Sequence, residues 1–295
     1  MTGHGSARLA ALPAGLRART RFVRLASDEI DGGVPALLAH PREAWWDSPE
    51  PSPAPVVIWM HGRSVNKELD PGRYLRWVRA GIGACAIDLP GHGEREVPGM
   101  GEPERVLEIA ERVASVEIDA VVRALAAPAL RAAFDASRMA LGGMSLGGMT
   151  TMIRLCRPHP FVCATVEAAS GDFRAMAARP AFAHPDGTLR EEAARLNPID
   201  RLSGWRSIPF LALHSELDEW VPVAGVRSFV DALRARATDE GADPAQAALH
   251  TWPRTGAPYE HVGFGRFSNE AKNLQTEFLA RHLGAAPSGW PAQGN

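Results

Sequence analysis

Short apolar runs alternate along the chain with longer segments whose apolar residues recur three and four positions apart. This is how a sheet with crossover helices appears in sequence. The runs predict strands over 21–26, 35–40, 56–60, 82–88, 139–142, 162–167, 210–214 and 248–252, and the helical periodicity predicts helices over 67–80, 103–125, 146–156, 224–237 and 268–283. The first two strands have no helix between them, so they are expected to pair as an antiparallel edge. The expected fold class is α/β, a mostly parallel eight-stranded sheet with helices on both faces, formed by one domain over residues 1–295. Two segments interrupt the pattern. The Pro-rich stretch 42–55 reads as a surface loop with Trp45 and Trp46 packed beneath it, and residues 171–196 separate two strands by more than a usual connection, as a small lid would.

Composition narrows the function classes. With 45% hydrophobic and 22% charged residues the chain is globular, and a net charge of −2 supplies no basic field to collect phosphates, so nucleic acid is not an expected partner. Cys85, Cys156 and Cys163 lie inside apolar runs rather than at metal-ligand spacing, which points to reduced, buried thiols. The N-terminal segment lacks the continuous apolar stretch of a secretory signal, and no run approaches the length needed to span a bilayer. A cytoplasmic protein with no membrane partner and no metal is expected.

The chemistry concentrates in ALGGMSLGGMT, where Gly143-Met144-Ser145-Leu146-Gly147 forms G-x-S-x-G between a predicted strand and a predicted helix. A sharp strand-to-helix turn exposes the serine hydroxyl, and flanking glycines permit the turn without a Cβ clash. The helix N-terminus leaves backbone N–H groups free to hold an oxyanion, and Leu146 N–H is the first such donor. The loop after strand 56–60, beginning His61-Gly62-Arg63, is placed to supply the second, assigned to Arg63 N–H. His61, Asp88 and His92 precede the serine in the chain and read as loop scaffold. The acid and the histidine of such a site follow the serine in chain order. Asp218, just before Val221-Pro222 in the loop after strand 210–214, is the assigned acid, with Glu216 as a second candidate and Glu167 or Asp172 as a third possibility. His261, between the last strand and the last helix, is the assigned base. Met144, Met149, Trp220, Phe173, Met176 and Phe182 are candidates for an apolar substrate pocket, with core packing as the alternative for each.

Together, His61-Gly62, the run Asp88 to Gly93, the Ser145 turn, the segment His214 to Pro222 and His261 resemble the α/β-hydrolase superfamily. Within it, the loop from His61 to Glu68 and the short lid are similar to small bacterial carboxylesterases and to the dienelactone-hydrolase and prolyl-oligopeptidase-like catalytic domains. Serine at 145 departs from the cysteine of dienelactone hydrolase and from the aspartate of haloalkane dehalogenases. The resemblance implies an α/β-hydrolase fold, a triad of Ser145, Asp218 and His261, and no cofactor. The expected function is a serine carboxylesterase that hydrolyses small-molecule, short-chain esters through an acyl-enzyme. A thioesterase, amidase or peptidase using the same residues, a cofactor-free perhydrolase or lyase, and a noncatalytic binding protein of the same fold are the alternatives.

Overall fold

The computed structural model describes residues 3–48 and 50–285. Its centre is an eight-stranded sheet in the order β1-β2-β4-β3-β5-β6-β7-β8. The strands are β1 Thr20–Leu25, β2 Val34–Ala39, β3 Ala54–Met60, β4 Gly83–Ile87, β5 Phe134–Met144, β6 Cys163–Glu167, β7 Phe210–Ser215 and β8 Ala247–Trp252. Pairing is parallel from β4 through β8, and β2 is antiparallel to both of its neighbours. Every residue of β2, β3, β4, β6 and β7 is buried, as a sheet covered on both faces requires.

The helices are α1 Gly3–Ala11, α2 Ala14–Arg17, α3 Pro71–Arg79, α4 Val106–Arg112, α5 Ile118–Ala126, α6 Leu146–Leu155, α7 Glu191–Leu196, α8 Val223–Asp239 and α9 Ser268–Leu283. Apolar residues of α4, α5, α6 and α8 pack on one face of the sheet, and those of α2, α3 and α9 on the other. Burial of Trp77 and Tyr74 of α3 against Trp59 of β3 anchors the second face. The chain turns to one side after β3 to make β4 and to the other to make β5, so the switch point lies between the C-terminal ends of β3 and β5. Ligands gather at such a point in α/β sheets. The pairing of Met60 with Gly143 sets the loop after β3 directly beside Ser145.

Three expected elements differ from the observed ones. The helix expected over 67–80 begins only at Pro71, because the Asp70 side chain accepts the Arg73 N–H at 3.3 Å and caps it. Lys67 instead lies buried in the preceding loop, bound to Asp88 and, at 2.8 Å, to Glu94. The helix expected over 103–125 is a 3₁₀ turn, α4, a π-helical turn over Val113–Glu117, and α5. The wider turn places fully buried Glu117 to take Arg95 in a bidentate pair at 2.6 and 2.8 Å and Arg112 at 2.9 Å. Strand β5 runs well beyond 139–142 in both directions, with a register irregularity opposite Ala54–Val56. Trp45 is buried, donating from Nε1 to Arg19 O at 3.1 Å and meeting Phe134 edge-on.

Candidate active site

Strand β5 ends in a turn that no unstrained residue adopts. Ser145 has φ 51° and ψ −113°, and its N–H donates to Glu167 O of neighbouring β6 at 2.8 Å. Such a conformation costs on the order of 1–3 kcal/mol and persists only where the surroundings enforce it. The glycines enforce it by allowing close approach. A Cβ on Gly143 would lie 2.4 Å from the Gly147 carbonyl carbon, and one on Gly147 would lie 2.3 Å from Met60 O. The turn and the β3 loop are therefore pressed together with no room for a side chain.

Ser145 Oγ lies 3.0 Å from His261 Nε2, and His261 Nδ1 lies 2.8 Å from Asp218 Oδ2. Nδ1–H donates to the carboxylate, so Nε2 is free to accept from the serine hydroxyl. All three side chains come from loops at the C-terminal edge of the sheet, after β5, β7 and β8. Asp218 is itself held by the Trp220 and Val221 N–H groups, which donate to Oδ1 at 2.8 and 2.7 Å. His214, fully buried, donates from Nε2 to Val221 O at 2.8 Å and backs the same carboxylate at 3.5 Å. Burial holds the His214 imidazole below its ordinary range, so it stays neutral.

The other candidate acids are engaged elsewhere. Glu216 accepts from Thr251 Oγ1 at 2.8 Å, and Asp172 caps a 3₁₀ turn and binds Arg174. Glu167 is buried, bound by Arg73 at 2.5 and 2.8 Å and by Gln275 at 2.9 Å. Asp88 accepts the Lys67 N–H and the Glu94 N–H, each at 3.0 Å, and His61 accepts the Leu89 N–H at 3.0 Å while its Nδ1 meets Gly62 O at 2.6 Å. Burial pushes His61 down to about 4, which fixes the neutral ring that this bonding requires. Among the described residues, the N–H groups of Leu146 and Arg63 donate to no backbone or side-chain acceptor.

A cavity of about 470 Å³ opens beside Ser145 and His261, walled by Leu146, Met149, Met176, Phe182, Trp220 and Val221 together with Pro103, Val106, Pro180 and Ala181. Arg63, Glu104 and Arg179 add the polar part of the wall. Met149, Trp220, Met176 and Phe182 thus lie where a pocket needs them. Phe173 does not. It is fully buried behind Phe182, edge-on at 5.1 Å, because its N–H is claimed by Asn197 Oδ1 at 2.8 Å and its segment turns into the core. Met144 faces away from this cavity, since alternate residues of a strand point to opposite faces, and lines a second one. Residues 171–196 fold into a 3₁₀ turn, a bridge between Ala183 and Leu189, and α7, and Met176 with residues 179–182 of this segment form the outer wall. Arg179 fastens that wall to the Asp218 loop by donating to Trp220 O at 3.2 Å and Glu219 O at 2.6 Å.

One functional residue escaped the sequence reading. Glu260, directly before His261, accepts from Ser215 Oγ at 2.7 Å, from Thr255 N–H at 2.6 Å and Oγ1 at 2.7 Å, and from Gly256 N–H at 2.7 Å. Tyr259 and Glu260 both have positive φ, 55° and 50°, and the four hydrogen bonds offset that strain. Partial burial pushes the Glu260 carboxyl up, but the Thr255, Ser215 and Gly256 donors outweigh it and hold it down at about 2. Its contribution to stability is complete above the ordinary carboxyl value of 4.5 and is lost as pH falls toward 2. Glu260→Gln should therefore lower Tm at pH 7 and flatten the fall of Tm between pH 4.5 and 2, as thermal melts across that range would record. An unchanged pH slope would show that the carboxylate does not tie the loop.

Among the described residues no cluster of histidine, cysteine, aspartate and glutamate is arranged to hold a metal ion, and no helix is long and apolar enough to cross a membrane. The fold and the serine-centred site define a serine hydrolase of the α/β-hydrolase fold. A model of the prolyl oligopeptidase family matches residues 106–286, which carry the Ser145, Asp218 and His261 loops, and the chain belongs to that family. Among solved structures, TT1662 of Thermus thermophilus is similar at 23% identity and a TM-score of 0.63, over 90% of this chain and 99% of that one. The acylaminoacyl peptidase of Pyrococcus horikoshii matches 92% of this chain at 17% identity and a TM-score of 0.69. A puromycin-hydrolyzing peptidase of Mycobacterium tuberculosis matches 94% of it at 20% identity and a TM-score of 0.69. At these identities the likeness is one of fold, and the chain spans only 42% and 41% of the lengths of the two peptidases. Comparison with curated proteins gives no match.

Proposed function

We propose that this protein is a serine carboxylesterase acting on compact acyl groups, with Ser145 as nucleophile, His261 as general base and acid, and Asp218 holding the imidazole. The observation that carries the reading is the hydrogen-bonded chain from Asp218 through His261 to Ser145 at the wall of a largely apolar cavity of about 470 Å³. Ser145 Oγ adds to the ester carbonyl as its proton passes to His261, and the oxyanion is held by the Leu146 and Arg63 N–H groups. The alcohol leaves with that proton, and water activated by His261 then releases the acid. Within the same family an amide substrate is the second reading, because the same triad serves an amine leaving group equally.

The wall formed by residues 171–196 limits the acyl chain. It is fastened by Arg179 and carries no broad amphipathic helix for docking on a lipid surface. Rates on nitrophenyl esters should peak at about two to six acyl carbons, with no jump at the substrate solubility limit. Running the ester series beside matched anilides decides between the two readings: faster anilide cleavage would overturn the esterase, and a preference for long-chain triglycerides would overturn the limit on acyl length.

A further inference from the structure

Two cavities flank the nucleophile turn, and each loop that builds the site divides between them. In the nucleophile turn, Ser145 and Leu146 line the larger cavity while Met144 lines a smaller one of about 240 Å³. In the loop after β3, Arg63 lines the larger and Gly62 the smaller; in the base loop, His261 lines the larger and Val262 the smaller. Gly62, in the wall of the smaller cavity, packs against the nucleophile, for a Cβ on it would lie 3.4 Å from Ser145 Cβ. A bond held at Ser145 therefore has the larger cavity at the reacting residues and the smaller one a residue away along each of the three loops.

We propose that the smaller cavity is the leaving-group subsite and that it takes a compact, uncharged aromatic or branched alcohol portion, a proposal that rests on the esterase reading above. Its floor is Trp59, covered by the Arg73 guanidinium at 4.4 Å from the ring, and its exposed rim is Leu69 and Val262. The charges in its wall are spent on one another. Asp70 binds Lys272 at 3.0 Å and Arg73 at 3.2 Å, and Glu167 binds Arg73. Two acids offset two bases, so the cavity offers apolar surface without a free counter-charge, which disfavours a charged occupant. The larger cavity suits the acyl group because Ser145 and the oxyanion donor Leu146 both stand in its wall, and the acyl group stays bonded to Ser145 through both half-reactions. In the first, the Oγ–acyl bond forms and the acyl–alkoxy bond breaks, with the proton passing from Oγ through His261 Nε2 to the departing oxygen. Water then enters the vacated subsite, gives its proton to His261 and adds to the acyl carbon, and the acid leaves as Oγ regains the proton.

The test separates the two sides of the bond. Met144→Trp and Leu69→Trp, the latter at the exposed rim where folding is not at risk, should lower the kcat/KM ratio of benzyl to methyl butyrate about tenfold or more, the scale on which a hydrophobic subsite discriminates. Both should leave the ratio of nitrophenyl hexanoate to nitrophenyl acetate unchanged. Ala181→Trp, in the wall of the larger cavity, should do the reverse. N-benzyl and N-methyl butyramide are run beside the esters, so cleavage of amides alone overturns the esterase reading while the benzyl-to-methyl ratio still reads the subsite. A shift of the acyl ratio by Leu69→Trp and Met144→Trp, or of neither ratio, overturns the subsite.

Discussion

Ser145→Ala is expected to abolish ester turnover, with kcat falling by roughly 10⁵–10⁶, and to leave a residual rate over water from the oxyanion donors and binding alone. The size follows from the loss of the atom that forms the acyl-enzyme, not from any change in fold. Alanine can occupy the same strained turn, because the close contacts there are made by Gly143 and Gly147 and not by the serine side chain. A fluorophosphonate should label the wild-type protein at Ser145 and leave the variant unlabelled, while thermal melts of the two agree. Labelling or turnover that survives the substitution would remove Ser145 from the role of nucleophile.

Asp218→Asn should lower kcat on the scale of about 10⁴, the loss known for a serine triad forced into the wrong imidazole tautomer. The hydrogen bonds around Asp218 give the reason. Oδ1 accepts from Trp220 and Val221 N–H, so an asparagine keeps its carbonyl oxygen there and turns its NH₂ toward His261 Nδ1. His261 must then carry its proton on Nε2, which faces Ser145 and can no longer accept the hydroxyl proton. Glu216→Gln should change kcat little, since its carboxylate is bound by Thr251 and Arg227 and not by the imidazole. If Glu216→Gln gave the larger loss, the acid would have been assigned to the wrong carboxylate. Steady-state kinetics of both variants on one nitrophenyl ester decide the matter.

The sequence by itself determined the sheet, the order of its chemistry and the likeness to the α/β-hydrolase superfamily. Runs such as PVVIWM and PFLALH have no polar face, so they have to be covered on both sides, and helices between them leave few topologies other than a parallel sheet. G-x-S-x-G was legible because the turn needs glycine at fixed offsets, a local demand that leaves a local mark. The sequence put Asp218 ahead of Glu216 by its place before Val221-Pro222, and the tertiary structure decided between them, since where the β7 loop turns each carboxylate is set by packing. It also decided that Phe173 lies behind the pocket wall while Met144 faces the opposite cavity. Glu260 left no mark, because its bonds to Thr255 and Gly256 depend on the fold of its own loop and its bond to Ser215 comes from the end of β7, 45 residues earlier. Periodicity records which face of an element is buried, whereas a site assembled from the ends of several strands depends on where loops return, and that is set by packing between residues far apart in the chain.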